Sequence, residues 1–141
     1  MLVQLTYISR CSKPFNNDDA VEIIKVSKRN NPQLGITGVL CFVNGFFIQQ
    51  IEGDRMAVNT LYRRIMMDDR HRELVIVEMA DIIRRRFSTW SMGLLTDKEE
   101  CHPIFLKYSS SAEFDPLNIA NKTFHTFFDE ISLNIKWLDD I

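Results

Sequence analysis

Hydrophobic and polar positions alternate from the first residues: Val3, Leu5, Tyr7 and Ser9 share one side of a strand, opposite Gln4, Thr6 and Ile8. The polar cluster Asn17, Asp18 and Asp19 then supplies a cap for a helix with Ala20, Ile23, Ile24 and Ser27 on one face. Pro32 disfavours helix at Asn31, so this helix is expected to end near Asn30. Two strands, 35–43 and 46–52, flank Asn44-Gly45, the strongest short-range hairpin signal. Asp54 is placed to cap a second helix whose buried face is Val58, Leu61, Tyr62, Ile65 and Met66. After a polar break at 68–72, a fourth strand is expected over 73–83 and a fifth over 87–95, joined through Arg84-Arg85-Arg86. The order is βαββαβ plus one strand, which predicts an α+β, ferredoxin-like sandwich (βαββαββ) with both helices on one sheet face.

The pattern changes near residue 98. A short helix interrupted by Pro103 is expected over 98–108, then a serine loop, then a long helix starting at Asp115-Pro116. Its stripe of Leu117, Ala120, Phe124, Phe127, Phe128, Ile131, Ile135 and Leu138 needs cover, and the open sheet face offers it. Residues 1–97 therefore read as a core and 98–141 as a helical extension packed on it, within one structural domain.

With 141 residues, 45% of them hydrophobic, the chain can build a core without disulfide or metal staples. A net charge of -2 argues against a nucleic-acid footprint, and no apolar run approaches membrane-spanning length. No secretory leader is evident, so a cytoplasmic location is expected. Cys11, Cys41 and Cys101 form no C-x-x-C pair, and His71, His102 and His125 lack metal-ligand spacing, so no metal is expected.

Gln49 is the chemically informative residue. It shares a strand face with Phe47 and Ile51, and a buried amide left unpaired costs about 1–3 kcal/mol. Tyr7 is a second inward polar group on another strand. Asn30 and Asn31 lie at the expected end of the first helix, Asp68, Arg70 and His71 lie past the second, and Trp90 and Met92 lie on the last strand. Each has an ordinary structural explanation singly: mutual satisfaction, a helix cap, a solvated ion cluster, core packing. As a set they border one groove between the helices, where Ile23 and Ile65 offer aliphatic walls for a small flat ligand. Phosphate-loop, dinucleotide, zinc-protease and nucleophile-elbow motifs are absent, and Arg84-Arg85-Arg86 reads as a solvated β-turn.

These pieces resemble the BLUF family, blue-light sensors using FAD. The matching segments are Leu5-Thr6-Tyr7-Ile8-Ser9, Arg29-Asn30-Asn31, Gly35-Ile36-Thr37-Gly38-Val39-Leu40, Phe47-Ile48-Gln49-Gln50-Ile51-Glu52-Gly53, Asp68-Asp69-Arg70-His71 and Arg86-Phe87-Ser88-Thr89-Trp90-Ser91-Met92. They cover residues 2 to about 96, and the tail is similar to that of short, stand-alone members of the PixD type. The resemblance implies FAD, with FMN or riboflavin as alternatives, held between the two helices of a non-enzymatic photoreceptor. It implies that Tyr7 donates an electron and a proton to the excited flavin and that Gln49 rearranges between Tyr7 and the flavin edge. Asn31 and Arg70 would bind the ring edges, Ile23 and Ile65 would sandwich the ring, and Asp68, Arg64 and His71 would lie toward the ribityl and phosphate side. Asn30 stands where another member has histidine; Trp90 and Met92 match the output strand. With nothing after Ile141, the signal is expected to leave by contacts with a protein effector, from a homo-oligomer.

Two other classes fit the architecture less well. An acylphosphatase-like hydrolase needs a glycine-rich anion loop, and Ser9-Arg10-Cys11-Ser12-Lys13-Pro14 has no glycine. An RNA-binding sheet or other non-photoactive interaction module would draw on Phe42, Phe46 and Phe47, but the charge is wrong for RNA.

Overall fold

The computed structural model describes residues 1–88, 91–96, 102–109 and 115–134. Strands β1 (Leu2–Cys11), β2 (Thr37–Val43), β3 (Phe46–Asp54), β4 (His71–Asp81) and β5 (Gly93–Thr96) form one sheet in the order β4-β1-β3-β2-β5. All neighbours are antiparallel except β2 and β5, which are parallel. Helices α1 (Asn17–Leu34) and α2 (Arg55–Met66) connect β1 to β2 and β3 to β4, the split crossovers of the ferredoxin-like α+β fold. Helices α3 (His102–Lys107) and α4 (Asn121–Asn134) follow.

Strand alternation divides the core into two layers. Val3, Leu5, Leu40, Phe42, Phe47 and Ile51 pack toward Ala20, Ile24 and Val58 of α1 and α2. Ile8, Val39, Cys41, Val43, Phe46, Ile48 and Leu95 pack on the other side with Phe105 of α3 and Phe124, Phe127, Phe128 and Ile131 of α4. A sheet covered on both faces explains why β1 is buried at every position from Val3 to Ser9.

Several sequence expectations need correction. The cap of α1 is Asn16, in a capping box with Asp19, and the helix runs through Pro32 to Leu34. Tertiary contact holds Asn31 helical, because it is buried and Nδ2 donates to Ser91 O at 2.8 Å. Gly35, at φ 66°, closes the last turn by donating to the carbonyls of Asn31 and Pro32. Met66 is half exposed, outside the buried face of α2. Strand β4 starts at His71, and β5 is only the four residues from Gly93. The long C-terminal helix is instead a 3₁₀ turn, Pro116–Asn118, capped by Asp115, followed by α4, which leaves Leu117 and Ala120 exposed. Pro103 sits in the first turn of α3, where a missing N–H costs nothing, so it does not interrupt the helix. Ile135 and Leu138 lie outside the described residues.

The arginine run is not a solvated turn. Since β4 and β5 occupy opposite edges, the segment between them crosses the molecule. Glu52, fully buried, accepts the backbone N–H groups of Arg86 (2.6 Å) and Phe87 (2.9 Å) and the Thr37 hydroxyl (3.1 Å). Arg85 donates to Thr37 Oγ1, and Arg86 reaches Gln50 and Asp129. A buried carboxylate with this many donors anchors the crossing.

Candidate functional site

On the α1/α2 face, the strand pairing sets Tyr7 directly opposite Gln49. The Tyr7 hydroxyl donates to Gln49 Oε1 at 2.5 Å. Burial pushes the Tyr7 phenol well above its usual pKa, with the charges of Tyr62 and Asp68 adding to the shift. Tyr7 is therefore a neutral phenol at physiological pH, and its hydroxyl donates to the amide carbonyl that faces it. The Gln49 amide nitrogen is then turned the other way, toward Met92 Sδ at 3.4 Å. Thioether sulfur is a weak acceptor, so this side of the amide is held loosely.

An open cleft of about 140 Å³ lies beside this pair. Ile23 from α1 and Ile65 from α2 line it, with Leu40, Phe47, Tyr7 and Gln49 from the sheet. Asn31 reaches it from the end of α1. Its Nδ2 is committed to Ser91 O, which leaves Oδ1 as an acceptor without a partner among the described residues.

At the rim, Asp68 accepts from Arg70 Nε at 2.9 Å and from its Nη2. That contact, opposed by partial burial, holds the Asp68 carboxyl below the usual carboxylate range and raises Arg70. Arg70 Nη1 retains free donors among the described residues. His71 Nε2 lies 2.6 Å from Ile65 O, a group that can only accept, so Nε2 carries a hydrogen. In the neutral ring Nδ1 is then the acceptor, and Ser9 Oγ donates to it at 2.8 Å.

Of the residues expected from sequence, Tyr7, Ile23, Asn31, Gln49, Ile65, Asp68, Arg70 and His71 line this cleft, and Met92 stands behind Gln49. Asn30 and Arg64 lie on exposed surfaces of α1 and α2 outside it. Trp90 lies outside the described residues. Ser27 and Leu61 are additional lining residues, and helical spacing could have found them, since each is four positions from an aliphatic wall residue. Ser9 was legible only as an inward hydroxyl, because its partner lies 62 positions away.

The cleft fits a flavin by its chemistry: two aliphatic walls for a flat ring, an open acceptor at Asn31, open donors at Arg70, and a phenol-amide pair on the floor. Comparison with known proteins agrees. Residues 2–93 match the family described as sensors of blue light using FAD. The beta subunit of photoactivated adenylate cyclase from Euglena longa is 40% identical over 98 residues, covering 69% of this chain and 11% of that protein. The solved structure of BlrB, a BLUF protein in its dark state, is 42% identical, covers 70% of this chain and 74% of its own, and superposes with TM-score 0.66. BlsA in its photo-activated state is 27% identical but covers 96% of this chain and 98% of its own, with TM-score 0.83. The chain spans about a tenth of the length of the curated cyclase relatives, and the family is one of sensors, not enzymes. A cleft floored by a tyrosine and a glutamine, on a fold and sequence matching along 2–93, places this chain in the BLUF family of blue-light sensors.

Proposed function

We propose that the chain is a photoreceptor that binds FAD in the Ile23/Ile65 cleft, converts blue light into a new hydrogen-bond arrangement of Gln49, and passes it to a protein effector. The observation that carries this reading is the Tyr7-Gln49-Met92 chain: a strong donor on one side of an amide and a weak acceptor on the other. A bound flavin supplies absorption of blue light and, once excited, a strong oxidant. Tyr7 is the residue placed to surrender an electron and its phenolic proton and to take both back, so nothing is consumed. While the phenol is altered, Gln49 Oε1 loses its donor. The amide can then re-pair, because the sulfur at its other end holds it weakly. FMN or riboflavin meets the same walls and floor, and the exposed Arg64 is available to phosphate beyond the cleft.

In this reading residues 1–97 sense light and 98–141 transmit it, with α4 packed on the sheet face opposite the cleft. Purified protein should be yellow, and its flavin spectrum should move slightly to the red under blue light and recover in darkness. A flavin spectrum indifferent to light would overturn the proposal.

A further inference from the structure

The two central strands carry polar pairs on both faces at adjacent register positions. Tyr7 opposes Gln49 on the cleft side, and Thr6 opposes Gln50 on the α4 side. Gln50, essentially fully buried, donates through Nε2 to Thr6 Oγ1 at 2.9 Å, and its Oε1 accepts from Arg86 Nη1 at 2.7 Å. The same guanidinium donates through Nε to Asp129 Oδ1 of α4 at 2.8 Å. A hydrogen-bonded chain of Thr6, Gln50, Arg86 and Asp129 thus starts one peptide bond from Gln49 and ends on the output helix.

We infer that Gln50 and Arg86 are positioning residues that relay the Gln49 rearrangement through the sheet to α4. The inference rests on the photoreceptor reading above. Consecutive residues of a strand face opposite ways but share a peptide plane, so a displaced Gln49 backbone tilts Gln50. Buried polar partners are costly to separate, so Gln50 keeps its bonds and carries Arg86 with it. The guanidinium is a rigid planar fork, and motion at Nη1 therefore moves Nε and the carboxylate it holds. The Arg86 backbone stays pinned to Glu52, which makes the side chain pivot instead of slide. Asp129 and Arg86 both wall a groove that also includes Arg84, His125 and Leu133, so a shift of α4 reshapes an outer surface.

The test is amide hydrogen exchange of α4 in the dark and under blue light, on the full flavin-loaded chain, alongside the flavin absorption shift. Gln50→Met keeps length and removes both amide bonds. Asp129→Ala changes an exposed helix position and keeps the core. In the unmodified protein, light should alter α4 exchange by about fivefold or more, the scale of coupling between linked sites. Both variants should keep the flavin shift while the light-to-dark exchange ratio falls to near one. A purely structural role would raise exchange equally in dark and light and leave that ratio unchanged. Retention of the ratio in both variants overturns the relay, as does α4 exchange in the unmodified protein that ignores light while the flavin shift is present. Absence of the flavin shift overturns the photoreceptor reading and the relay with it.

Discussion

At Tyr7 and Gln49, one hydroxyl and one amide carry the proposed photochemistry, and single substitutions separate their roles. Gln49→Leu fits the apolar floor made with Phe47 and Leu40 and removes both donor and acceptor. It should retain flavin and lose the light-induced absorption shift completely. Tyr7→Phe keeps the ring and deletes the hydroxyl that Gln49 Oε1 accepts from. Its photocycle should stop, with longer-lived flavin fluorescence, and an unpaired Gln49 carbonyl should cost about 1–3 kcal/mol in a denaturant titration. Asp68 gives a pH test. Its folded pKa lies below the unfolded value, so its pairing with Arg70 is fully present above about pH 4 and is lost as pH falls through the lower folded value. Flavin retention on gel filtration should therefore weaken in that acid range, and Asp68→Asn should remove this part of the dependence.

The elements themselves are shaped by backbone requirements at a few positions. Gly38 on β2 sits so close to β3 that an added Cβ would lie 2.2 Å from Gln50 O, a backbone atom that cannot turn aside. Gly35 has open space around it and only the left-handed φ of 66° to satisfy. Gly38→Ala should therefore lose more than about 2 kcal/mol through forced separation of β2 and β3, and Gly35→Ala about 1–2 kcal/mol through backbone strain alone. Denaturant midpoints of the two variants would rank them, and the reverse order would contradict the close β2/β3 approach. The edge strand β4 is interrupted by register shifts opposite Thr6/Tyr7 and Ile8/Arg10, and it leaves Val75 and Ile76 about half exposed. Such irregularity blunts an edge that would otherwise pair with other chains.

Across the whole molecule, the sheet separates the layer that holds the cleft from an aromatic layer under α3 and α4, each with its own apolar cluster. Truncation after residue 97 strips α3 and α4 from Ile8, Cys41, Val43, Phe46, Ile48 and Leu95. The freed face is apolar and is held covered mainly by burial, worth about 25 cal/mol per Å². The truncated protein should be markedly less soluble in light-scattering assays yet still show the flavin shift wherever it folds. Loss of the shift in soluble, flavin-loaded material would mean that the C-terminal layer shapes the cleft itself.

Local periodicity was enough to put Tyr7 and Gln49 on one face, to set Ile23 and Ile65 on the inner sides of two helices, and to place the Asn44-Gly45 turn, where both residues adopt positive φ. These features depend on neighbours a few positions away, and the chain carries that information directly. The C-terminal end of α1 runs past Asn30 because Pro32 is tolerated where Asn31 is buried and bonded to Ser91, 60 positions along. The inward turn of Arg85 and Arg86 depended on Glu52, and the orientation of the Gln49 amide depended on the Tyr7 hydroxyl, 42 positions away. Sequence alone determined which residues could meet, because strand and helix periods are local. Tertiary structure alone decided which atoms do meet, because a hydrogen bond needs a distance near 3 Å between groups that only the closed sheet brings together.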